Sequence, residues 1–146
     1  MEWIPKIWGG EQIIVNNDQY CGKILTFIKD HKASFHFHKL KTETFHILDG
    51  RILLIYSSED VNKLEKHKDV VKDILDNAYN NRYSLSSFRT LVGYSPPIHC
   101  IFLSKGESFQ IDPLLVHQAI ALEDSKIIEF STHSDDSDSY RIVIGS

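Results

Sequence analysis

The side chains best suited to chemistry in this chain stand in one stretch, His36-Phe37-His38-Lys39-Leu40-Lys41-Thr42-Glu43, followed after six residues by Gly50. On an extended strand, side chains two apart share a face, so His36 and His38 point one way while Phe35 and Phe37 point the other. If the chain reverses around Leu40 to Thr42, Glu43 shares a face with Phe45 and Ile47 on the next strand, and its carboxylate comes beside the two imidazoles. His117 opens another strand-like run after Pro113-Leu114-Leu115-Val116 and can add a third imidazole from a facing sheet. Three neutral imidazoles and one carboxylate suit a single divalent ion (Mn, Zn or Fe) and leave two positions of an octahedron open to water or substrate. One histidine in a strand is ordinarily hydrogen-bonded or at the surface; the grouping is what carries the metal reading.

The elements that must position this quartet are short runs rich in β-branched and aromatic residues. They lie at 23–27, 34–38, 43–48, 51–56, 98–103, 108–111, 117–122, 126–131 and 140–144. Turn material separates them. Asp49-Gly50 has the composition of a tight hairpin turn, and Lys105-Gly106-Glu107 and Glu123-Asp124-Ser125 read as further reversals. Many short strands with turns between them predict an all-β antiparallel sandwich or barrel rather than alternating β and α units. One segment departs from this pattern: Val61, Leu64, Val71, Ile74, Leu75 and Ala78 recur at helical spacing, with Ser57 to Asp60 suited to a helix start. This predicts one amphipathic helix over 59–79. A loop rich in Asn, Ser and Tyr over 80–97 completes a helix-plus-loop insertion at about 57–97, which either covers the barrel mouth or mediates assembly.

The chain has 146 residues, enough for one domain with a real core. Its 42% hydrophobic and 25% charged residues exclude disordered and fibrous classes. The net charge of −4 is spread without basic blocks, so no nucleic acid is expected as partner. No window has the length of apolar residues a membrane helix needs, and the opening Met1-Glu2-Trp3-Ile4-Pro5-Lys6 lacks a signal peptide's order. A cytoplasmic location without membrane association is therefore expected. Cys21 and Cys100 are too few and too far apart for a Cys-x-x-Cys motif and read as reduced core residues.

His-x-His, four residues, Glu, six residues, Gly resembles the first signature motif of the cupin superfamily, and the match is complete. The second cupin motif, Gly, five residues, Pro-x-Gly, two residues, His, three residues, Asn, is met in part. Gly106 and His117 have the right separation, but Asp112 and Leu114 replace the usual Pro and Gly, and Ala121 stands where Asn is usual. Trp8-Gly9-Gly10-Glu11, Tyr20-Cys21-Gly22-Lys23, Glu129 to His133 and Asp136 to Arg141 resemble the flanks of sugar-handling cupins. The similar families are D-lyxose isomerases and the cupin domain of mannose-6-phosphate isomerases. The resemblance spans about two thirds of the chain. It implies a single cupin domain over 1–146, a jelly-roll barrel with one helical insertion, that pairs as a homodimer. It also implies a metal on His36, His38, Glu43 and His117, and isomerase or epimerase activity on a small sugar or sugar phosphate in carbohydrate metabolism.

Isomerisation of this kind needs a base and a substrate clamp beside the metal. Lys41 resembles the lysine of the His-x-x-Lys-x-Glu stretch of lyxose isomerases, where it would polarise a substrate oxygen; its alternative is a solvated lysine in a turn. Glu129 faces the cavity if Ile128 and Phe130 face outward, and burial there would suit its carboxylate to shuttle a proton. The alternative is a structural ion pair. Arg141 is either a clamp for a phosphate or hydroxyl, or the partner of Asp136 or Asp138. Trp3, Trp8 and Tyr20 pack on a sugar ring or in the core. His46 should point away from the metal, His133 is ambiguous, and His31, His67 and His99 read as structural or exposed. Two other functions use the same ligands: an iron-dependent cupin dioxygenase, and a non-catalytic sugar-binding cupin.

Overall fold

The computed structural model describes residues 2–85, 89–90 and 97–145. The strands are β1 (Glu2–Lys6), β2 (Gly9–Asn16), β3 (Cys21–Phe27), β4 (Phe35–Phe37), β5 (Glu43–Asp49) and β6 (Arg51–Ser57), then β7 (Arg89–Thr90), β8 (His99–Ser104), β9 (Ser108–Ile111), β10 (Val116–Ala121), β11 (Ser125–Ser131) and β12 (Tyr140–Val143). They form two antiparallel six-stranded sheets: sheet I in the order β1-β2-β3-β11-β5-β9, and sheet II in the order β12-β4-β10-β6-β8-β7. From β3 onward, apart from the stretch from β6 through the helices and β7 to β8, each connection carries the chain from one sheet to the other. That winding is the jelly roll expected.

The winding corrects one expectation. Asp49-Gly50 is a tight turn, with Gly50 at φ 84°, but it is no hairpin, because β5 lies in sheet I beside β11 and β9 while β6 lies in sheet II beside β10 and β8. A side chain at Gly50 would also run into Ser125. The turns at 105–107 and 123–125 change sheets in the same way. Turn chemistry fixes the local reversal; burial of two apolar faces decides which neighbours the strands take.

Burial along the strands shows how the layers stack. On β11, Ser125, Ile127 and Glu129 are buried and alternate with Lys126, Ile128 and Phe130, so sheet I has one covered face. On β10 all six residues are buried. Sheet II is covered twice, by the barrel interior and, on its outer face, by helices α1 (Val61–Lys66) and α2 (Lys68–Asn80). Leu64, Val71, Ile74, Leu75 and Ala78 pack there against Phe35, Leu53, Ile55, Val116 and Ile120. The two helices of the insertion thus lie against the outside of the barrel.

Asp60 caps α1, its carboxylate accepting the N–H groups of Asn62 and Lys63 at 2.9 and 3.2 Å. The single helix expected over 59–79 is two, interrupted at His67. Residues 65–70 are all exposed, so no packing holds that turn to the sheet. Of the loop expected over 80–97, residues 86–88 and 91–96 lie outside the described residues, and Arg89–Thr90 forms the short β7 on β8. The second layer of apolar side chains fills the barrel, with Leu25, Phe27, Phe45, Ile47, Leu54 and Ile127 among them. No described helix is long and apolar enough to cross a membrane. Cys21 and Cys100 are buried and not joined in a disulfide.

Candidate metal centre and substrate cavity

His36 and His117 are direct partners across the β4–β10 ladder, and Arg141 on β12 is His36's partner on the other side. His38 follows the end of β4, and Glu43 opens β5. One expectation is reversed here: His117 stands beside His36 on sheet II, and Glu43 is the ligand that comes from the facing sheet. The four nevertheless meet. One ring nitrogen from each of His36, His38 and His117 lies within 4.8 Å of the others. Glu43 Oε1 is 3.1 Å from His117 Nε2 and 3.6 Å from His38 Nε2.

The hydrogen bonds behind the rings set what the site can hold. Each Nδ1 faces a backbone carbonyl: Ser34 at 3.0 Å from His36, Asp138 at 3.0 Å from His38, and Leu115 at 2.9 Å from His117. A carbonyl only accepts, so each Nδ1 carries the proton and each neutral ring turns a bare Nε2 lone pair inward. Burial, aided by the neighbouring rings, holds His36 well below its ordinary value, and burial lowers His38 to about 4 against the pull of Glu43. Glu43 Oε1 and His117 Nε2 are buried with no hydrogen-bond partner among the described residues. One proton can bridge that pair; a divalent ion satisfies all four atoms at once. The donor set fits such an ion.

Lys41 is not solvated: it is buried between two carboxylates in the cavity wall. Its Nζ lies 3.0 Å from Glu43 Oε2 and 3.2 Å from Glu129 Oε2, with the side chain 6% exposed. Burial alone would lower its proton affinity, but Glu129 and Glu43 outweigh burial and keep it charged. Lys41 therefore leaves one oxygen of Glu43 for the metal and ties the other to Glu129. Glu129 faces inward on β11 as expected, with Ile128 and Phe130 turned out. Burial, reinforced by the Glu43 charge and opposed by Lys41 and Lys23, pushes its carboxyl up to about 7.

These groups line one cavity of about 490 Å³, whose wall also includes Glu11, Lys23, Trp8, Ser134 and Arg141. Arg141 is exposed and makes no ion pair among the described residues, so the alternative bridge to Asp136 or Asp138 is not formed there. Asp138 is occupied elsewhere. Its buried carboxylate accepts the backbone N–H groups of Lys39, Leu40 and Lys41 at 3.0 to 3.2 Å, and its carbonyl orients His38. Nothing in residue type or spacing marks this brace, which joins positions nearly a hundred residues apart.

Trp8 is buried and stacks on Phe27, with one edge of the pair on the cavity. Trp3 and Tyr20 are exposed. His46 is bonded to Ser108 on the outer face of sheet I, and His133 is exposed, its ring held to the Asn17 carbonyl. Leu114, standing where the resembling motif has glycine, keeps glycine's backbone: φ is 72°, and its N–H donates to the His38 carbonyl at 2.7 Å.

No protein-family model matches the sequence, and no curated protein does. Solved structures do resemble it. KdgF from Halomonas sp. aligns over 94% of this chain and 90% of its own, with 14% identity and a TM-score of 0.61. The capsular polysaccharide assembling protein CapF from Staphylococcus aureus aligns over 98% of this chain, with 14% identity and a TM-score of 0.63, although this chain spans only 32% of CapF. An RmlC-like cupin from Shewanella frigidimarina aligns over 93% of this chain and 86% of its own, with 13% identity and a TM-score of 0.58. Identities this low speak to architecture alone, and they agree with the sheet order: the chain has the jelly-roll fold of the cupins.

Proposed function

We propose that the chain is a metal-dependent isomerase or epimerase of a small sugar or sugar phosphate, using His36, His38, Glu43 and His117 as ligands and serving carbohydrate metabolism. The observation that carries this reading is the pairing, in one cavity, of inward lone pairs suited to a cation with a buried carboxyl, Glu129, whose proton affinity lies near neutrality. Likeness in fold to a capsular polysaccharide assembling protein is in keeping with it.

A divalent ion would supply Lewis-acid stabilisation of the negative charge that gathers on the substrate oxygens during enolisation. The chain does the rest. Glu129, deprotonated, removes the proton from the carbon beside the carbonyl and returns it to the former carbonyl carbon, while the proton of the neighbouring hydroxyl passes to the former carbonyl oxygen. Lys41 is a positioning residue that holds Glu129 at a fixed place relative to Glu43. Arg141, at the exposed part of the wall beside His36, engages an oxygen of the bound sugar.

The test is proton exchange. Protein loaded with Mn²⁺ or Zn²⁺ under anaerobic conditions is incubated with aldoses, ketoses and their phosphates in D₂O. Deuterium entering carbon 1 or 2, lost in Glu129→Gln while metal content is kept, supports the proposal. Oxygen uptake by the iron-loaded protein, without exchange, favours a dioxygenase instead. A sugar that stabilises the protein yet is recovered unlabelled leaves a binding protein.

A further inference from the structure

Two charged residues of the cavity that contact one another, Lys23 and Glu11, have no part in the mechanism above. Lys23 on β3 is 6% exposed, and its Nζ lies 3.0 Å from Ser134 Oγ and 3.6 Å from Glu11 Oε2 on β2. Ser134 is itself pinned, its N–H donating to Asn16 Oδ1 at 3.1 Å and its carbonyl accepting from Asn16 Nδ2 at 2.9 Å. Lys23 is also the cross-strand partner of Glu129, so the pair continues the line of charges leading from the metal ligands along sheet I. A buried ammonium has three protons. One goes to Ser134, and at 3.6 Å the Glu11 contact is an ion pair too long to be a hydrogen bond, so donor capacity is left facing the cavity beside an acceptor of opposite charge.

We infer that Glu11 and Lys23 form a subsite for a sugar hydroxyl and make the cavity selective for uncharged sugars over sugar phosphates. The inference rests on the sugar reading above and narrows it. A hydroxyl both donates and accepts, so a single one placed here takes a hydrogen bond from Lys23 and gives one to Glu11. A phosphate only accepts at neutral pH and carries up to two negative charges; the gain from Lys23 is cancelled by repulsion from Glu11, and no third charge tips the balance. Elsewhere on the cavity wall cationic side chains also stand among at least as many acidic ones. Lys41 lies between Glu43 and Glu129, and Arg141 and Lys6 share the wall with Asp135 and Asp136. A phosphate site of the usual kind has an excess of cationic donors, which this wall lacks.

The experiment measures binding separately from turnover. Mn²⁺-loaded protein is titrated calorimetrically with D-mannose, D-fructose and D-lyxose and with mannose 6-phosphate and fructose 6-phosphate. The wild type should bind at least one neutral sugar tenfold or more tightly than either phosphate. Glu11→Gln, which keeps shape and removes the countercharge of Lys23, should shift the phosphate-to-sugar affinity ratio at least tenfold toward phosphate. The double variant Glu11→Gln/Lys23→Gln should lose that gain, which separates charge from general damage, with melting temperature and bound Mn²⁺ as fold controls. Wild type that prefers a phosphate, or an unchanged ratio in Glu11→Gln, overturns the inference and leaves the isomerase proposal standing. If no sugar of either class binds or exchanges deuterium, the sugar reading itself falls and takes this inference with it.

Discussion

Three single residues carry separable energetic loads. Asp138 accepts three backbone N–H groups of the turn bearing Lys41, and its carbonyl fixes the His38 ring. Asp138→Ala leaves those donors, of which the Lys41 N–H is buried, without their acceptor and should cost about 2 kcal/mol in urea denaturation while weakening Mn²⁺ binding about tenfold by calorimetry. Leu114 holds a left-handed backbone that a branched side chain adopts at a cost, so Leu114→Gly should raise stability by about 1 kcal/mol in the same assay. Glu129 gives a pH signature. Folded, it keeps its proton up to about 7, and unfolded it releases it near 4.5; between those values the folded state binds more proton, so this group's contribution to stability falls as pH rises. Comparing wild type with Glu129→Gln at pH 5 and 7.5 should show the wild type losing about 2 kcal/mol more across that interval. Turnover, which needs the free carboxylate, should rise through the same pH range. The quartet was legible in the sequence because the two-residue period of a strand puts His36 and His38 on one face. Asp138 and the Glu11–Lys23 pair were not, since their roles arise only when distant segments meet.

At the level of elements, nine of the strands could be read from alternation and turn residues, with ends within two residues of those observed. β1 and β2 escaped notice. Pro5 and the Gly9-Gly10 pair argue against strand, yet β1 is an edge strand, where proline is tolerated, and Gly10 lets the Trp3 ring lie flat against the sheet. The partners of the strands were beyond local reading for a different reason. A tight turn has the same sequence whether it joins neighbours in one sheet or crosses between two, and Asp49-Gly50 does the latter. The helical layer has a role that can be tested apart from chemistry. Leu75 is 2% exposed beneath α2, and Leu75→Ala should cost about 3 kcal/mol in denaturation with Mn²⁺ affinity unchanged, because the cavity lies on the opposite face of sheet II.

For the whole molecule, the unequal covering of the two sheets is the organising fact. Sheet II lies between core and helices, whereas the outer face of sheet I leaves Trp3 and Phe130 about half exposed. The homodimer implied by the resemblance belongs to the proposal on those terms: a second copy of the chain on that face. Sedimentation equilibrium should give twice the chain mass, and Phe130→Glu should give monomer that still binds Mn²⁺. The brace formed by Asp138 has a temporal consequence as well. All four metal ligands have been translated by residue 117, but the carboxylate that shapes the 39–41 turn and the carbonyl that aims His38 come twenty-one residues later. A nascent chain that has not yet exposed Asp138 would own every candidate ligand and lack the geometry to use them, so the ion should be captured only once β12 has closed against His36.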